Sequence, residues 1–284
     1  MFRLCFRMMR VEFTKMHGVG NDFVVFDAPL PDSLLDPTRL RSLADRRTGI
    51  GFDQALLLEP PRRADTVAYY RIFNADGDEV EQCGNGARCL AALLGGRGRA
   101  RDGALALESP AGVIHARLAA DGTVSVDLGV PDFAPGALPF DAPAEADSYN
   151  LEVAGQQLEI MAVSLGNPHA VVAVAALDSI PVATLGPLIE RHARFPRRVN
   201  AGFLEIVSRE QVRLRVHERG AGETRSCGTG ACAAVAVARR RGWLDARVRV
   251  EVRGGELRVN WAGVGEHIWL TGPAQISFQG HLEV

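Results

Sequence analysis

Hydrophobic and polar residues alternate over many short stretches of the chain, as is typical of β-strands with one buried face. Two stretches differ, because small and apolar residues follow a Cys-Gly-x-Gly-Ala sequence and predict helices at 87–94 and 231–241. The second of these ends in arginines and then Gly242, as helices commonly do. The predicted strands are 23–26, 55–58, 67–73, 105–107, 124–128, 170–174, 203–207, 212–216 and 248–252. The pattern therefore predicts a mixed α/β fold.

The order of these landmarks is repeated in the second half of the chain. "CGNGA" in the first half matches "CGTGA" in the second, and "GNDFVVF" resembles "GNPHAVV" upstream of them. Aligned in this way, Cys83 falls on Cys227, Arg71 on Arg215, Asn74 on Glu218 and Glu79 on Glu223. Because the shared order and spacing extend well beyond one glycine-rich piece, we interpret the chain as an internal duplication.

The duplication predicts two domains of similar size. The N-terminal half is placed at 1–128, with 273–284 expected to pack back against it, and the C-terminal half at 129–272. The segment "GVPDFAPGALPFDAPAEAD" at 129–147 is rich in Pro, Ala and Asp, which favours a link between the halves and a hinge region.

Composition and charge narrow the functional classes. The chain has 284 residues, 47% hydrophobic and 23% charged, with a net charge of −2, so neither a nucleic-acid nor a membrane partner is expected. The start, "MFRLCFRMMRVEF", is basic but lacks the apolar core of a secretory signal. We therefore expect a cytoplasmic protein, and a start at Met8 or Met9 would make the first residues an annotation artefact.

The five cysteines and the single lysine argue against disulfide bonds, a zinc site and pyridoxal phosphate chemistry. An odd cysteine count without a signal argues against a disulfide framework, and the cysteine spacings do not match a zinc site. Lys15 is the only lysine, which nearly excludes a Schiff base with pyridoxal phosphate. No metal and no cofactor are therefore expected. Cys89 and Cys232 are interpreted as packing residues, and Cys5 is assigned no role.

Cys83 and Cys227 each precede a predicted helix. A helix N-terminus carries partial positive charge and unpaired N–H groups, so we expect both thiols to have a lowered pKa. The glycine N–H groups beside them are suited to bind a carboxylate. Either cysteine alone is more simply a small buried residue. At equivalent positions of a duplicate they indicate two acid/base groups for one stereocentre, and hence a cofactor-independent racemase or epimerase.

Several polar residues flank these turns. His169 follows a Gly-Asn-Pro turn, Glu218 is able to accept an ammonium group, and Arg219 is suited to clamp a carboxylate. Each also has a purely structural interpretation: His169 as a turn residue, Glu218 as a charge balance for nearby arginines, and Arg219 as a surface residue. Five asparagines are each more simply turn residues, because Asn favours turns, but their matched positions indicate a polar pocket: Asn21, Asn74, Asn85, Asn167 and Asn200.

The chain resembles the diaminopimelate epimerase family in "KMHGVGNDF", "GFDQ", "RIFNADGDEVEQCGNGARC", "GNPH", "ERGAGETRSCGTGACAA" and "LTGPA". These motifs extend from Lys15 to Ala274, and the two long cysteine blocks are the most specific. The resemblance implies two pseudo-symmetric α/β domains, each a β-barrel-like sheet around a central helix, with the active site in the cleft. It also implies epimerisation of LL-diaminopimelate to the meso form without a cofactor, in lysine and peptidoglycan precursor synthesis.

The resemblance also assigns roles to individual residues. Cys83 and Cys227 are implied to be the acid/base pair, supported by His169 and Glu218. The residues implied to bind substrate are Asn21, Gln54, Asn74, Gly84, Asn85, Asn167, Asn200, Glu218, Arg219, Gly228 and Thr229. Family members are typically homodimers, and Trp269 stands where a tyrosine tied to the dimer contact is expected.

Other functions stay open at this point. A proline or hydroxyproline racemase has the same paired cysteines, but it leaves Arg219 and the asparagines without a distal carboxylate and ammonium to bind. A PhzF-like isomerase lacks the cysteine pair. A thiol hydrolase or redox protein needs a Cys–His partnership or a CxxC sequence, and the second is absent. A binding module tolerates loss of both thiols.

Overall fold

The structure, a computed structural model, describes residues 9–80 and 83–284; Cys5 and the alternative start at Met8 lie outside the described residues. The chain divides into two compact units. Unit 1 contains the residues up to Gly18, Asp22–Ala116 and Ala274–Val284, and unit 2 contains Val19–Asn21 and Arg117–Pro273. The division after Ala116 falls earlier than the boundary predicted after Leu128.

Unit 1 is built mainly from strands, with two α-helices in its described part. The first helix begins at a pre-formed cap, where the Asp36 carboxylate accepts the N–H groups of Thr38 and Arg39. The elements are β1 (Arg10–Gly18), β2 (Asn21–Asp27), α1 (Pro37–Ala44), β3 (Gln54–Glu59), β4 (Ala68–Asn74), β5 (Glu79–Val80), α2 (Gly84–Gly96), β6 (Ala104–Ser109), β7 (Gly112–Leu118) and β18 (Gln275–Glu283).

Unit 2 has the same kind of organisation, and β7 ends within it. Its elements are β8 (Thr123–Asp127), β9 (Tyr149–Val153), β10 (Gln156–Ser164), β11 (Pro168–Ala173), α3 (Val182–Glu190), β12 (Asn200–Ser208), β13 (Gln211–Glu218), β14 (Gly222–Glu223), α4 (Gly228–Arg240), β15 (Arg247–Val252), β16 (Gly255–Asn260) and β17 (Trp269–Pro273). None of the helices in the described part of the chain is both long and apolar enough to span a bilayer.

Strand pairing repeats between the units. In unit 1, β2 pairs parallel with β3, β3 antiparallel with β4, β4 antiparallel with β5, and β4 parallel with β6. In unit 2, β11 pairs parallel with β12, β12 antiparallel with β13, β13 antiparallel with β14, and β13 parallel with β15. The long helix lies after the short fourth strand of each series. The duplication predicted from the sequence is therefore confirmed as a repeated topology.

A pair of equivalent ion pairs supports the same alignment. Arg71 on β4 donates two hydrogen bonds to the Glu79 carboxylate, at 2.7 and 2.8 Å. Arg215 on β13 binds Glu223 in the same bidentate geometry, at 2.7 and 2.9 Å. Each ion pair bridges the two strands of the hairpin that precedes the cysteine. The same bidentate contact therefore stabilises the segment before the long helix in each unit.

The helix of unit 2 is enclosed by its sheet. Every residue of α4 from Gly228 to Ala238 is buried, and the helix contacts β10, β11, β12, β13, β16 and β17. A helix buried on all sides must be apolar all round, and its alanines let the strands approach closely. In unit 1, α2 contacts β1, β6 and β18 and is buried from Gly84 to Ala91. The sheet-dominated fold with two repeated domains is therefore confirmed.

The segment predicted as a link is part of unit 2. Leu138 and Phe140 lie in its hydrophobic core, and the Phe140 ring stacks on Phe195 with centroids 4.5 Å apart. Asp132 pairs with Ser164 through two backbone hydrogen bonds. Proline and alanine in this stretch shape an irregular but packed segment, which composition alone does not distinguish from a free linker.

The chain terminus pairs back onto the first strand. β18 runs antiparallel to β1 from Arg10↔Glu283 to His17↔Gln275, with one irregularity at Lys15/Met16. Both strands belong to unit 1. β8 lies in unit 2 because it pairs with β17, with Trp269 opposite Asp127.

Candidate functional site

Cys83 is the N-cap of α2. Its sulfur accepts the backbone N–H of Gly86 at 3.4 Å, and its side chain is half-buried. A Cβ added at Gly86 would lie 3.3 Å from Leu56, 3.4 Å from Phe23 and 3.5 Å from the Cβ of Cys83. A larger residue at Gly86 therefore crowds the site where the sulfur meets the helix.

Unit 1 contains two predicted substrate-binding pairs, one at the start of α2 and one on its sheet. Gly84 and Asn85 are the first two residues of α2, at the positive end of the helix, and Asn85 is 2% exposed. Gln54 and Asn74 lie opposite each other on β3 and β4, and the Gln54 amide donates to Asn74 Oδ1 at 2.9 Å. Strand register therefore brings this amide pair together.

Cys227 is the N-cap of α4 and is 4% exposed. Its pKa is raised well above the usual thiol range, first by burial and then by the charge and hydrogen bond of the Glu218 carboxylate. The Gly230 N–H and the Thr229 hydroxyl act in the opposite direction but do not compensate. The lowered pKa predicted for Cys227 is therefore wrong, because burial and a neighbouring anion outweigh the helix N-terminus. At neutral pH this thiol is protonated.

A hydrogen-bonded chain begins at Cys227 within unit 2. The Cys227 sulfur lies 3.7 Å from Thr229 Oγ1, which accepts the Asn167 amide at 3.3 Å. His169 Nε2 lies 3.0 Å from Asn167 Oδ1. Burial, with Arg219 nearby, lowers the pKa of His169 to about 3, so the ring is neutral at physiological pH. Because Asn167 Oδ1 only accepts, the neutral ring carries its proton on Nε2.

A second group of predicted residues surrounds the β13–β14 turn of unit 2. Asn200 accepts the Arg219 N–H at 2.9 Å and donates to the Pro168 carbonyl at 2.9 Å. The Arg219 side chain is exposed and donates to the Arg197 carbonyl at 3.3 Å. The two ends of Asn200 thus join this turn to the segment that carries Asn167 and His169.

Glu218 has two polar neighbours, a thiol and a hydroxyl group. It interacts with the Cys227 thiol, and it accepts a hydrogen bond from Thr224 Oγ1. Thr224 was not singled out from the sequence, although it lies within the "ERGAGETRSCGTG" block. A hydroxyl in the middle of that block gives no periodic signal, and only the fold of the hairpin brings it to the carboxylate.

A buried ion-pair network precedes Gln54 in unit 1. Asp22 accepts from Lys15 and, at 2.8 Å to each oxygen, from the two terminal nitrogens of Arg46. Lys15 also donates to the Gly51 carbonyl. Asp22 and Asp53 each accept the other's backbone N–H at 3.1 Å. The network therefore anchors the starts of β2 and β3, next to Asn21 and Gln54.

The predicted residues thus form two groups, one in each unit. Their members lie at the ends of strands and at the starts of helices. Unit 1 carries Cys83, Gly84 and Asn85 at its helix and the Gln54–Asn74 pair on its sheet. Unit 2 assembles a larger set by direct contact: Cys227, Thr229, Asn167, His169, Asn200, Glu218 and Arg219, with Gly228 as the first residue of α4. Asn21 is the half-buried first residue of β2.

The two thiols are expected to differ in reactivity toward alkylation. Iodoacetamide attacks thiolates, so the half-buried Cys83 is expected to react before Cys227, which is buried and protonated. The measurement is peptide-resolved mass spectrometry over a time course at pH 7.5. The buried Cys89 and Cys232 serve as internal references. Faster labelling of Cys227 than of Cys83 contradicts the assignment of a protonated, shielded thiol.

Known proteins resemble the chain over nearly its whole length. The family model described as "Diaminopimelate epimerase" matches residues 13–134 and 161–277. The diaminopimelate epimerase of Laribacter hongkongensis is 55% identical over 96% of this chain and 99% of its own length. That of Alkalilimnicola ehrlichii is 52% identical over 97% of this chain and 100% of its own length.

Solved structures extend the likeness in fold. A hydroxyproline epimerase from Agrobacterium vitis, crystallised with trans-4-hydroxy-L-proline, superimposes with a TM-score of 0.72 at 19% identity, covering 98% of this chain and 94% of its own. At that identity the likeness concerns the fold alone. The motif blocks, the two-segment family match and the identity of about half over full length together place this isomerase in one family: the chain belongs to the diaminopimelate epimerases.

Proposed function

We propose that the protein converts LL-diaminopimelate to meso-diaminopimelate by a two-base mechanism in which Cys83 and Cys227 are the acid and base. The observation that carries the proposal is the equivalent placement of the two thiols: each is the N-cap of the long helix in one of two repeated units. A symmetric pair of this kind suits a reaction that removes a proton from one face of a carbon and returns it to the other.

The proton balance needs no cofactor. A thiolate takes the α-proton and becomes a thiol, and the C–H electron pair passes into the carboxylate as an enolate-like anion. The other thiol then gives its proton to the opposite face and becomes the thiolate. Cys227, with its raised pKa, is the group that starts protonated, and it donates in the direction for which Cys83 is the base.

The developing negative charge needs donors that are already in place. We assign this role to the N–H groups of Gly84–Asn85 and Gly228–Thr229, which lie at the positive ends of α2 and α4. His169 is neutral and hydrogen-bonded through Asn167 to Thr229, so it keeps that turn oriented without adding a positive charge. Glu218 holds the Cys227 proton in place between turnovers.

The distal end of the substrate is assigned to amides and one arginine. Asn21, Gln54, Asn74, Asn167, Asn200 and Arg219 supply donors and acceptors for a second carboxylate and ammonium. Diaminopimelate has this second carboxylate and second ammonium, whereas proline has only one carboxylate and one amine. The family membership and this donor set favour diaminopimelate over the proline-type substrates of proteins with the same fold, and they imply a role in making lysine and the peptidoglycan precursor.

Isotope exchange tests the substrate and the reaction together. The reduced protein is incubated with LL-diaminopimelate in D2O, and deuterium at the α-carbon and the isomer ratio are followed by NMR. Deuterium entry with conversion toward the meso form is expected, and L-proline is the matched control substrate that is expected not to exchange. Exchange of proline without exchange of diaminopimelate overturns the substrate assignment.

We also propose that the active protein is a homodimer, as the family resemblance implies. Its support is an exposed apolar strand, because Ile276 and Phe278 on β18 are 51% and 49% exposed, and a second copy would shield them. Trp269 is half-buried on β17, in the place where the family is expected to have a tyrosine.

The dimer proposal is tested by mass measurement in solution. Light scattering after size exclusion is expected to give twice the 30.6 kDa chain mass. Replacing Phe278 by serine is expected to shift the protein toward the monomer, whereas Val264→Ser, at a 71% exposed position in unit 2, leaves the mass unchanged. A monomeric parent protein at micromolar concentration contradicts the proposal.

A further inference from the structure

A buried carboxylate lies behind the turn that carries Glu218 and Arg219. Glu190 is the last residue of α3, and its side chain is 4% exposed. Its Oε2 lies 3.1 Å from His217 Nε2, and its Oε1 accepts the Gly220 backbone N–H at 3.0 Å. Arg198 approaches the same carboxylate at 3.6 Å and Arg191 at 4.0 Å. Both oxygens are therefore occupied by donors from two different segments.

His217 reaches Glu190 because a glycine on the helix makes room for it. A Cβ added at Gly186 would lie 2.5 Å from the His217 Cβ and 2.8 Å from its Nδ1. The absence of that Cβ lets α3 lie directly against the ring, which is 7% exposed as a residue. Since the Glu190 oxygen accepts, His217 Nε2 donates. The ring and the carboxylate thus form one buried pair between α3 and β13.

The Gly220 N–H is one of two consecutive donors in the turn after Glu218. The Arg219 N–H goes to Asn200, and the Gly220 N–H goes to Glu190. The turn is closed by the Ala221 N–H, which reaches the Glu218 carbonyl at 3.2 Å, and Gly220 has a φ of +78°. Two side chains from outside the hairpin therefore determine the path of the backbone between Glu218 and Gly220, and with it the direction of both functional side chains.

The Glu190–His217 pair is better explained by its effect on the position of the turn than by a contribution to the free energy of unfolding. Taking an acid and a histidine out of water costs free energy, and apolar residues of similar volume often do better. Burial opposes ionisation of Glu190, but the Gly220 N–H, His217 and Arg191 outweigh it and hold the pKa of the carboxyl below its usual range. An ionised acceptor of this kind fixes two donors in direction, which an apolar contact does not.

We propose that Glu190, together with His217, is a positioning residue for the reaction: it holds the β13–β14 turn so that Glu218 faces Cys227 and Arg219 faces the substrate. The inference rests on the proposed roles of Glu218 and Arg219. Glu190 acts through the backbone N–H of Gly220 and through His217.

The test compares two carboxylates with the same kind of partners. Glu190→Gln keeps the volume but turns an amide N–H₂ toward one of the donors. Glu205 on β12 is the control, because it also accepts one backbone N–H, from Leu177 at 2.7 Å, and one cation, Arg213 at 3.1 Å, but does not support the turn. We expect Glu190→Gln to lower kcat/KM by about 10–100-fold, the range for a small misplacement of reacting groups. Glu205→Gln is expected to stay within about twofold of the parent.

The distribution between KM and kcat distinguishes positioning from general stability. Loss of Arg219 orientation raises KM, and loss of Glu218 orientation lowers kcat, both at a temperature well below the melting transition. A second pair of variants does not depend on Glu190: His217→Gln keeps a donor for the carboxylate and is expected to retain activity, whereas His217→Leu is expected to lose it. If Glu190→Gln does not fold, this pair decides the question.

Two results overturn the inference while leaving the proposed function intact. One is equal kcat/KM for Glu190→Gln and Glu205→Gln. The other is equal activity of His217→Leu and His217→Gln. Failure of the parent protein to exchange the α-proton of diaminopimelate, or full activity of a Cys227→Ala variant, contradicts the proposed function instead.

Discussion

Replacing Cys227 by alanine is expected to lower kcat for epimerisation by about 10²–10⁴-fold, the range attributed to one positioned acid/base group. The physical reason is that the alanine variant has no proton donor at the N-cap of α4, where the buried, protonated thiol lies against Glu218 and near Thr229. Cys83→Ala is expected to cause a loss of the same order, because the second half-reaction has no other acid or base.

The measurement is the rate of LL-to-meso conversion, with thermal melting as a check on folding. Cys232→Ala is the matched control, since Cys232 lies on the same helix, is fully buried and was interpreted as a packing residue. It is expected to keep its activity. Conversion by Cys227→Ala at the parent rate, or an equal loss in Cys232→Ala, contradicts the two-thiol mechanism.

Deuterium exchange adds a finer outcome to the same variants. With one thiol left, an α-proton is removed from one face only, so each single variant is expected to exchange at most one of the two isomers, without inversion. Exchange of both isomers by one variant contradicts the assignment of one thiol to each face.

Replacing Asp22 by asparagine is expected to destabilise the protein by about 3–5 kcal/mol, the usual effect of removing one partner from a buried ion pair. Lys15 is 8% exposed by side chain and donates to Asp22 and to the Gly51 carbonyl. The variant leaves this ammonium buried with only neutral oxygen partners. Arg46 is affected less, because it is more exposed and keeps its contact with Asp53 at 2.7 Å.

The expected result is a fall of about 10 °C in the melting temperature at pH 7. Asp65→Asn is the control, because Asp65 also forms a close pair with Arg63, at 2.9 Å, but both side chains are more than half exposed. Exposed pairs contribute little, so its melting temperature is expected to change by no more than about 2 °C. Equal shifts in the two variants contradict the special contribution of the Lys15–Asp22 network.

The pH dependence of the Asp22 effect has a definite sign. Burial opposes the charged form, but hydrogen bonds and charge from Arg46 and Lys15 lower the pKa of Asp22 to about 2. The folded state therefore stabilises the ionised form of Asp22, and it binds a proton there more weakly than the unfolded chain does. The resulting contribution, about 2 kcal/mol, is complete above the ordinary carboxyl pKa and is lost as the pH falls from about 4 to about 2. The difference between parent and variant is expected to shrink over that interval in denaturant titrations.

The duplication and the main elements were accessible from the sequence because they depend on local patterns. Alternating strands and the Cys-Gly-x-Gly-Ala helix starts produce periodic signals, and the aligned Arg71–Glu79 and Arg215–Glu223 pairs form equivalent ion pairs in both units. The predicted helix at 87–94 lies inside α2, and the one at 231–241 ends one residue beyond α4; each observed helix begins three residues earlier, at the glycine after the cysteine. Glycine's weak helix propensity hid those first turns.

The remaining elements depend on partners far along the chain. α3 contains Pro187 and, immediately before it, the helix-weakening Gly186, so no helical signal stands out, yet the helix packs on β13. Strand β18 has apolar residues exposed on its surface, and its identity as a strand rests on pairing with β1 at the other end of the chain. Burial, not local propensity, selects these conformations.

The sequence by itself determined the family, the repeated α/β topology and the identity of the thiols, because motif residues and their spacing encode these directly. Only the tertiary structure decided the ionisation of Cys227, the neutral state of His169, and the support of the Glu218–Arg219 turn by Glu190. These properties arise from burial and from contacts between segments distant in the chain. A helix start lowers the pKa of a thiol only when its effect exceeds those of burial and nearby anions, and at Cys227 burial and the Glu218 carboxylate outweigh it.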